Sequence, residues 1–446
     1  MRRILESNGG GMQRIRAALA MAAVASLAAA CSGLDVTNPN SPTQESVLNG
    51  VDGVLALGVG IQQQYAQGVI NYLVPNSLVT DEWSTKSKSL ISYQSLVDPT
   101  NFSFDNSYAV VSAPYATTFQ VSFTADNLIK SAPTVNLSPG IQAGLGALAR
   151  LFKGMALGQA IQQYQQIPVD AVLGGGVLQA RPVVLDTVIA LLEQARAAAA
   201  GLGAADISTL QSRVTGTSFD LKNTIDAMLA RYYLIRGSYQ QAIDAAARVD
   251  QSKLSLFTYP SPTTNPIWSL GINAGYVGGL ASFAAQAQAG DPRPAYWLNL
   301  TVHPPANPDS VLDELKKYST QNEAYPVYLP AEMLLIQAEG QARLNNTAQA
   351  LAFLNQERTA KSWPVDQPAA GLPALTAADV PTQDALLKAI AYERRYELYM
   401  QGTRWEDMRR LPQPWSNTMS IPYLPMPRTE CLTNPNARAD PSCGGQ

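Results

Sequence analysis

Histidine and cysteine are nearly missing from this 446-residue chain, which holds one His (His303) and three Cys. Zinc and related centres need several Cys, His or carboxylate ligands at close spacing. No such cluster occurs, so no metal site and no cofactor are expected. Charge is also scarce: charged residues are 15% of the chain, the net charge is −3, and there is no basic run. A nucleic-acid binder concentrates Lys and Arg along one surface, so that class is set aside. There is no Gly-x-Ser-x-Gly elbow and no phosphate-cradling loop. Gly174-Gly175-Gly176 lacks the strand-to-helix context of such a loop and reads as a flexible turn. Beyond the N-terminus, no apolar run approaches the roughly 20 residues of a membrane-spanning helix.

What the chain does have begins at its N-terminus. Arg14 and Arg16 precede a run of small apolar residues from Ala17 to Ala30, the form of a processing segment. Met12-Gln-Arg-Ile-Arg makes a complete positive region by itself. Leu27-Ala28-Ala29-Ala30-Cys31 then has the form of a bacterial lipobox. Small residues let the peptidase close on the backbone, and the thiol accepts a diacylglyceryl group. One departure is Ala28, which stands where an aliphatic residue is usual. We expect residues 1–30 to be a lipoprotein signal peptide, Cys31 to be lipidated, 31–44 to be a polar tether, and 45–446 to form one domain. Several acyl chains on one cysteine suffice for stable membrane anchoring. Residues 1–30 hold four Arg and one Glu, so the remainder carries 27 basic against 33 acidic residues, a net −6. In an exported chain the remaining cysteines, Cys431 and Cys443, are expected to pair as a disulfide. Such a bridge contributes about 3 kcal/mol in the chain-entropy model.

Helical periodicity dominates the rest. It predicts helices over Val47–Ala66, Tyr115–Lys130, Ile141–Tyr164, Val183–Leu202, Leu221–Arg236 and Ser238–Val249. Tyr115, Phe119 and Phe123, four apart, share one face of the second. Leu221–Arg236 and Ser238–Val249 are joined by the tight turn Gly237-Ser238. Ala331–Ile336 and Ala348–Arg358 repeat this grammar around Leu344-Asn345-Asn346. Small residues stand where the helices of each pair must touch, as in tetratricopeptide-like hairpins. Two stretches are rich in loop residues instead, Trp83–Asp105 and Phe257–Pro308. Connections of that length inside a globular chain are usually functional. The expected class is mainly α: tetratricopeptide-like helical hairpins in a superhelical scaffold, a loop-rich ligand face, and little β.

The C-terminal region then supplies a signature. It contains Glu393-Arg394-Arg395-Tyr396-Glu397-Leu398, followed by Gly402-Thr403-Arg404-Trp405-Glu406-Asp407-Met408-Arg409-Arg410. Tyr423-Leu424-Pro425-Met426-Pro427, Glu430 and Asn434-Pro435-Asn436 follow, and Asp291-Pro292-Arg293 comes before. These runs resemble those of the RagB/SusD family of outer-membrane lipoproteins, as does Leu34-Asp35 shortly after Cys31. The resemblance implies an α-helical nutrient-binding protein on the cell surface. Its partners would be a SusC-like TonB-dependent transporter and an oligosaccharide or other nutrient fragment. Its tie to the outer membrane would be the lipid anchor.

Glu393 and Glu397 are the tempting catalytic pair. Four apart on one helix, they share a face and cannot flank a glycosidic bond. We expect Glu393, Arg394, Glu397, Arg404, Trp405 and Asp407 to be scaffold, with Arg394 and Arg404 neutralising the glutamates and Trp405 a core anchor. His303 has no visible partner in its Pro-rich loop. With no catalytic set, an enzyme is not expected. Sugar binding instead needs flat aromatic faces beside polar groups. The candidates are Trp83 and Tyr93 in the first loop-rich stretch, and Trp268, Tyr276, Tyr296 and Trp297 in the second. The alternatives are a lipid-anchored tetratricopeptide-like protein-interaction scaffold and, less favoured, an exported hydrolase.

Overall fold

Apolar periodicity becomes helix wherever the sequence predicts it. The computed structural model describes residues 48–172, 175–307, 310–415 and 419–444. Cys31, the signal peptide and the tether lie outside them. The chain is 57% helix and 6% strand, so its class is mainly α, as expected. The helices are α1 (Val51–Val79), α2 (Ile91–Val97), α3 (Ala109–Ser131), α4 (Pro139–Gln163), α5 (Arg181–Ala200), α6 (Ala204–Leu210), α7 (Leu221–Arg236) and α8 (Tyr239–Arg248). Within the second loop-rich stretch lie α9 (Ala281–Ala285) and α10 (Arg293–Trp297), and after it come α11 (Ala331–Arg343), α12 (Thr347–Arg358), α13 (Gln383–Glu397), α14 (Arg404–Arg410) and α15 (Arg428–Thr433).

Each long helix packs on the next in a continuing stack: α1 on α3, α3 on α4, α4 on α5, α5 on α7, α7 on α8, and α8 on α11. α11 then receives both α12 and α13. Local chemistry fixes several ends. The Asp220 side chain accepts from Asn223 N at the start of α7 (3.0 Å), and Thr382 does the same for Ala385 N in α13 (3.1 Å). α7 stops at Gly237, whose φ of +88° is left-handed, a conformation glycine adopts without steric cost.

Three of the predicted boundaries moved by more than two residues: α3 begins six residues before Tyr115, and both ends of α1 shift. α1 begins four residues after Val47 and runs 13 residues past Ala66, through Gly68 and Pro75. Its second half, from Val69 onward, is buried almost all round. A helix enclosed by neighbours needs no polar face, so it carries no amphipathic period to detect. Gly68 is no stop signal: an added Cβ there would sit 2.4 Å from Thr117 of α3. α4 is also enclosed, with nearly every residue from Gly144 to Gln163 buried.

Strands are short and mostly pair far-separated segments. They are β1 (Trp83–Thr85), β2 (Gln166–Ile167), β3 (Gln179–Ala180), β4 (Leu256–Phe257), β5 (Val277–Leu280), β6 (Leu298–Asn299), β7 (Leu312–Leu315) and β8 (Tyr325–Pro326). One antiparallel sheet runs β1-β5-β7-β6, with Trp83 opposite Gly279 and Gly279 opposite Asp313. It joins the two loop-rich stretches into one surface. Among the described residues, no helix is long and apolar enough to cross a membrane.

The stack depends on small residues at crossings. At Gly158 of α4, a Cβ would lie 2.2 Å from the ring of Tyr232 on α7. At Gly60 of α1 it would meet nothing within 4 Å. Gly158→Ala should therefore lose up to about 2 kcal/mol, overpacking of ~1–3 less a helix-propensity gain of up to ~1. Gly60→Ala should gain up to about 1 kcal/mol. Urea unfolding of both variants checks the opposite signs.

Candidate functional site

The clearest ligand-sized concavity forms where the loop-rich stretches meet the helix stack. Gln67, Ile70, Asn71 and Val74 of α1 make one wall. Leu90, Ser92 and Tyr93 make a second, the first turns of α3 (Ala109, Val110, Ala113) a third, and Pro266, Ser269, Leu270 and Ala274 a fourth. Its volume is about 400 Å³, within the range of small-ligand pockets. No charged side chain lines it.

The loops are pinned. Lys86 lies at the end of β1, and its Nζ donates to the Gly271 carbonyl at 3.0 Å. Burial lowers the Lys86 pKa, while Glu314 opposes that shift. Lys86 N also donates to Tyr276 O at 2.9 Å. Asn265 Oδ1 accepts from the backbone N of Ile267 and of Trp268, at 2.8 and 3.3 Å. On α1, the Gln67 amide donates to Thr264 O (3.3 Å) and the Asn71 amide to Thr117 Oγ1 (2.9 Å). Each amide is thereby oriented by the protein, which leaves the Gln67 and Asn71 oxygens as acceptors. This i, i+4 amide pair on α1 was the signal that sequence reading passed over.

The six aromatic candidates divide. Tyr93 lines the groove, and Tyr276 meets it edge-on, with centroids 6.3 Å apart at 81°. Trp268 is half-buried between the lining residues Pro266 and Ser269. Burial, then Tyr276, pushes the Tyr93 phenol up, so it stays a donor. The other three stand elsewhere. Trp83 is 0% exposed in β1. Trp297 is 1% exposed and donates Nε1–H to Tyr396 O at 2.8 Å. Both indoles are core pieces with no face free for a ligand. Tyr296 lines no part of the groove; it donates to Asp366 Oδ1 (2.9 Å) and carries the Lys317 ammonium 5.4 Å from its ring.

His303 is not partnerless: its Nδ1 is 2.9 Å from Asp313 Oδ1 of β7. Cys431 and Cys443 are joined as a disulfide, with Cα atoms 5.4 Å apart. Trp405 is 0% exposed.

The glutamate pair sits in a closed ionic cluster, away from the groove. Arg293, Asp291, Glu357, Glu393 and Glu397 all have side chains at 0% exposure. Arg293 reaches Asp291 at 2.8 Å, Glu393 at 2.5 Å, Glu357 at 3.1 Å and Glu397 at 3.7 Å. Arg358 holds the other oxygen of Glu393. The neutralising arginines are thus Arg293 and Arg358, not Arg394 and Arg404. Residues one apart on a helix do not face each other, so Arg394 points away from Glu393. It pairs with Asp407 at 2.8 Å, beside the bidentate Arg231–Glu332 pair (2.6 and 2.9 Å). Arg404 makes no ion pair among the described residues; its guanidinium lies 5.5 Å from the Trp415 ring centroid.

Four carboxyls share two guanidiniums here, so two negative charges are in excess. Burial pushes Glu357 well up and Glu397 to about 8, with Arg293 opposing. These two carboxyls also lie against one another. Protons held on that pair cancel the excess and supply the donor that two carboxylates lack. Nothing in this arrangement offers a substrate access.

A helix stack carrying a small sheet defines the fold, and known proteins share it. A SusD superfamily protein from Parabacteroides distasonis aligns over 89% of this chain and 98% of its own, at 15% identity and a TM-score of 0.65. One from Bacteroides fragilis aligns over 86% and 97%, at 17% identity and 0.62. A SusD-like carbohydrate binding protein from Bacteroides vulgatus aligns over 81% and 83%, at 14% identity and 0.62. No curated protein matches the sequence. Residues 289–436 match the model of the SusD family. The likeness is thus to the SusD family, by sequence over that C-terminal third and by fold over the described body.

The shared protons give a pH signature. Glu397 keeps its proton up to about pH 8 when folded, whereas an unfolded Glu loses it near its ordinary value. The folded state therefore binds the extra proton between those limits, and stability falls as pH rises through them. Glu397→Gln, which mimics the protonated acid, should flatten the profile by about 1.4 kcal/mol per pH unit. Denaturant melts from pH 5 to pH 9 check this; a variant curve parallel to wild type is the contrary result.

Proposed function

We propose that this protein is a cell-surface nutrient-binding lipoprotein that captures a neutral oligosaccharide in the α1–α3 groove. The single observation that carries this is the groove's chemistry. It is uncharged, walled by aliphatic side chains, edged by Tyr93 with Tyr276 behind it, and supplied with the Gln67 and Asn71 amides. A sugar ring has an apolar face for the first set and hydroxyl donors for the second. The similarity to a SusD-like carbohydrate binding protein supports the same reading.

The remaining parts follow from the family and the N-terminal sequence. Residues 1–30 act as the signal peptide, Cys31 carries the lipid, and 31–44 tether the domain 45–446 to the outer membrane, facing the exterior. The captured saccharide passes to a SusC-like TonB-dependent transporter. The protein is a binder and not an enzyme: its paired carboxyls are locked in the Arg293 cluster rather than set across a cleft.

Isothermal titration against a panel of neutral oligosaccharides tests the reading. Tyr93→Ala combined with Trp268→Ala should weaken binding at least tenfold, equivalent to about 1.4 kcal/mol, with the melting curve retained. A wild-type protein that binds no saccharide but captures a folded protein partner would favour the scaffold alternative.

A further inference from the structure

A second groove lies further along α3. Tyr115, Phe119 and Phe123 line it at one helical turn per step, a stride of about 6 Å. The Tyr115 and Phe119 rings lie 4.6 Å apart between centroids, tilted by 49°. Phe123, at the outer end, is 49% exposed. Pro168 and Val172 face these rings, and Val172 is 61% exposed. The groove has a volume of about 400 Å³. This ring stripe has no part in the α1–α3 groove.

The polar groups of this groove all point to one kind of ligand. Gln120, Asp170 and Glu430 line it, and no cation does. The Asp170 side chain is 75% exposed, with only a 3.9 Å contact to Lys153. Glu430 is held in place: it accepts from Asn434 Nδ2 at 2.6 Å, and the same amide donates to the Gly176 carbonyl at 2.8 Å. The next residue, Cys431, is fixed by the disulfide. Two carboxylates without a cation disfavour an anionic occupant and accept from hydroxyls. An apolar protein segment would satisfy the rings and leave the exposed Asp170 carboxylate without a hydroxyl donor. A neutral sugar presents a flat apolar face and hydroxyl donors together, and so satisfies both.

We propose that the Phe119–Phe123 groove is a second saccharide subsite, taking neutral sugar rings on its aromatic stripe with Asp170 and Glu430 accepting their hydroxyls. This rests on the saccharide reading of the first groove. With both on one helix, a polymer long enough to reach both gains avidity that a short oligomer lacks.

The test is titration of the full chain in detergent with maltotetraose, cellotetraose and mannotetraose, and with the corresponding long glucans and mannans. Wild type should bind a tetrasaccharide at two sites, and Phe123→Ala should leave one and weaken the polymer at least tenfold. Phe123→Trp should keep both sites. One wild-type site that Tyr93→Ala removes and Phe123→Ala leaves intact overturns the second subsite and preserves the first. One site that only Phe123→Ala removes does the reverse. No saccharide binding at all overturns both.

Discussion

The buried guanidinium of Arg293 is the interaction on which the C-terminal half depends. It draws Asp291 from the end of the second loop-rich stretch, Glu357 from α12, and Glu393 and Glu397 from α13 to one point. Taking an ion out of water costs several kcal/mol, repaid only where its partners are close and complete. That condition ties three elements to a single geometry, with Arg358 the second cation on Glu393. The excess acid is met by protonation rather than by more arginine. Neighbouring pairs extend the tie: Arg231–Glu332 fastens α7 to α11, and Arg394–Asp407 fastens α13 to α14.

Much of the scaffold was legible because it is local. α7 and α8, and likewise α11 and α12, carry their own periodicity, and Gly237 marks the turn of the first pair. What escaped was non-local. The second half of α1 is enclosed on all sides and therefore has no polar stripe. The central sheet pairs Trp83 with Gly279 and Leu315 with Leu298 through strands of two to four residues, too short for an alternating pattern. Even within the signature, the right carboxylates were assigned the wrong counterions. Arg394 is adjacent to Glu393 in the chain, but the helix turns it toward Asp407.

The site was legible as a region more than as residues. The two loop-rich stretches are joined by β1 and β5 and supply two walls of the groove, and Tyr93, Tyr276 and Trp268 lie in or beside it. Trp83 and Trp297 come from the same stretches but serve the core, because the sheet and α10 need large apolar anchors there. An aromatic residue in a polar loop looks the same in sequence whether it faces inward or outward. The polar half of the groove came from Gln67 and Asn71, on a helix that sequence reading ended at Ala66, 13 residues too soon.

The groove draws on residues 67–113 and 266–274, and the family signature begins only at residue 289. Recognition and retention are therefore encoded in separate stretches of chain. Substitutions in the early segments can retune what is held without disturbing Arg293 and its carboxyls. Under the proposed function, the part that carries the family match works as a fixed handle and the groove as an interchangeable head. A fold kept at 14–17% identity among such proteins is what that division of labour permits.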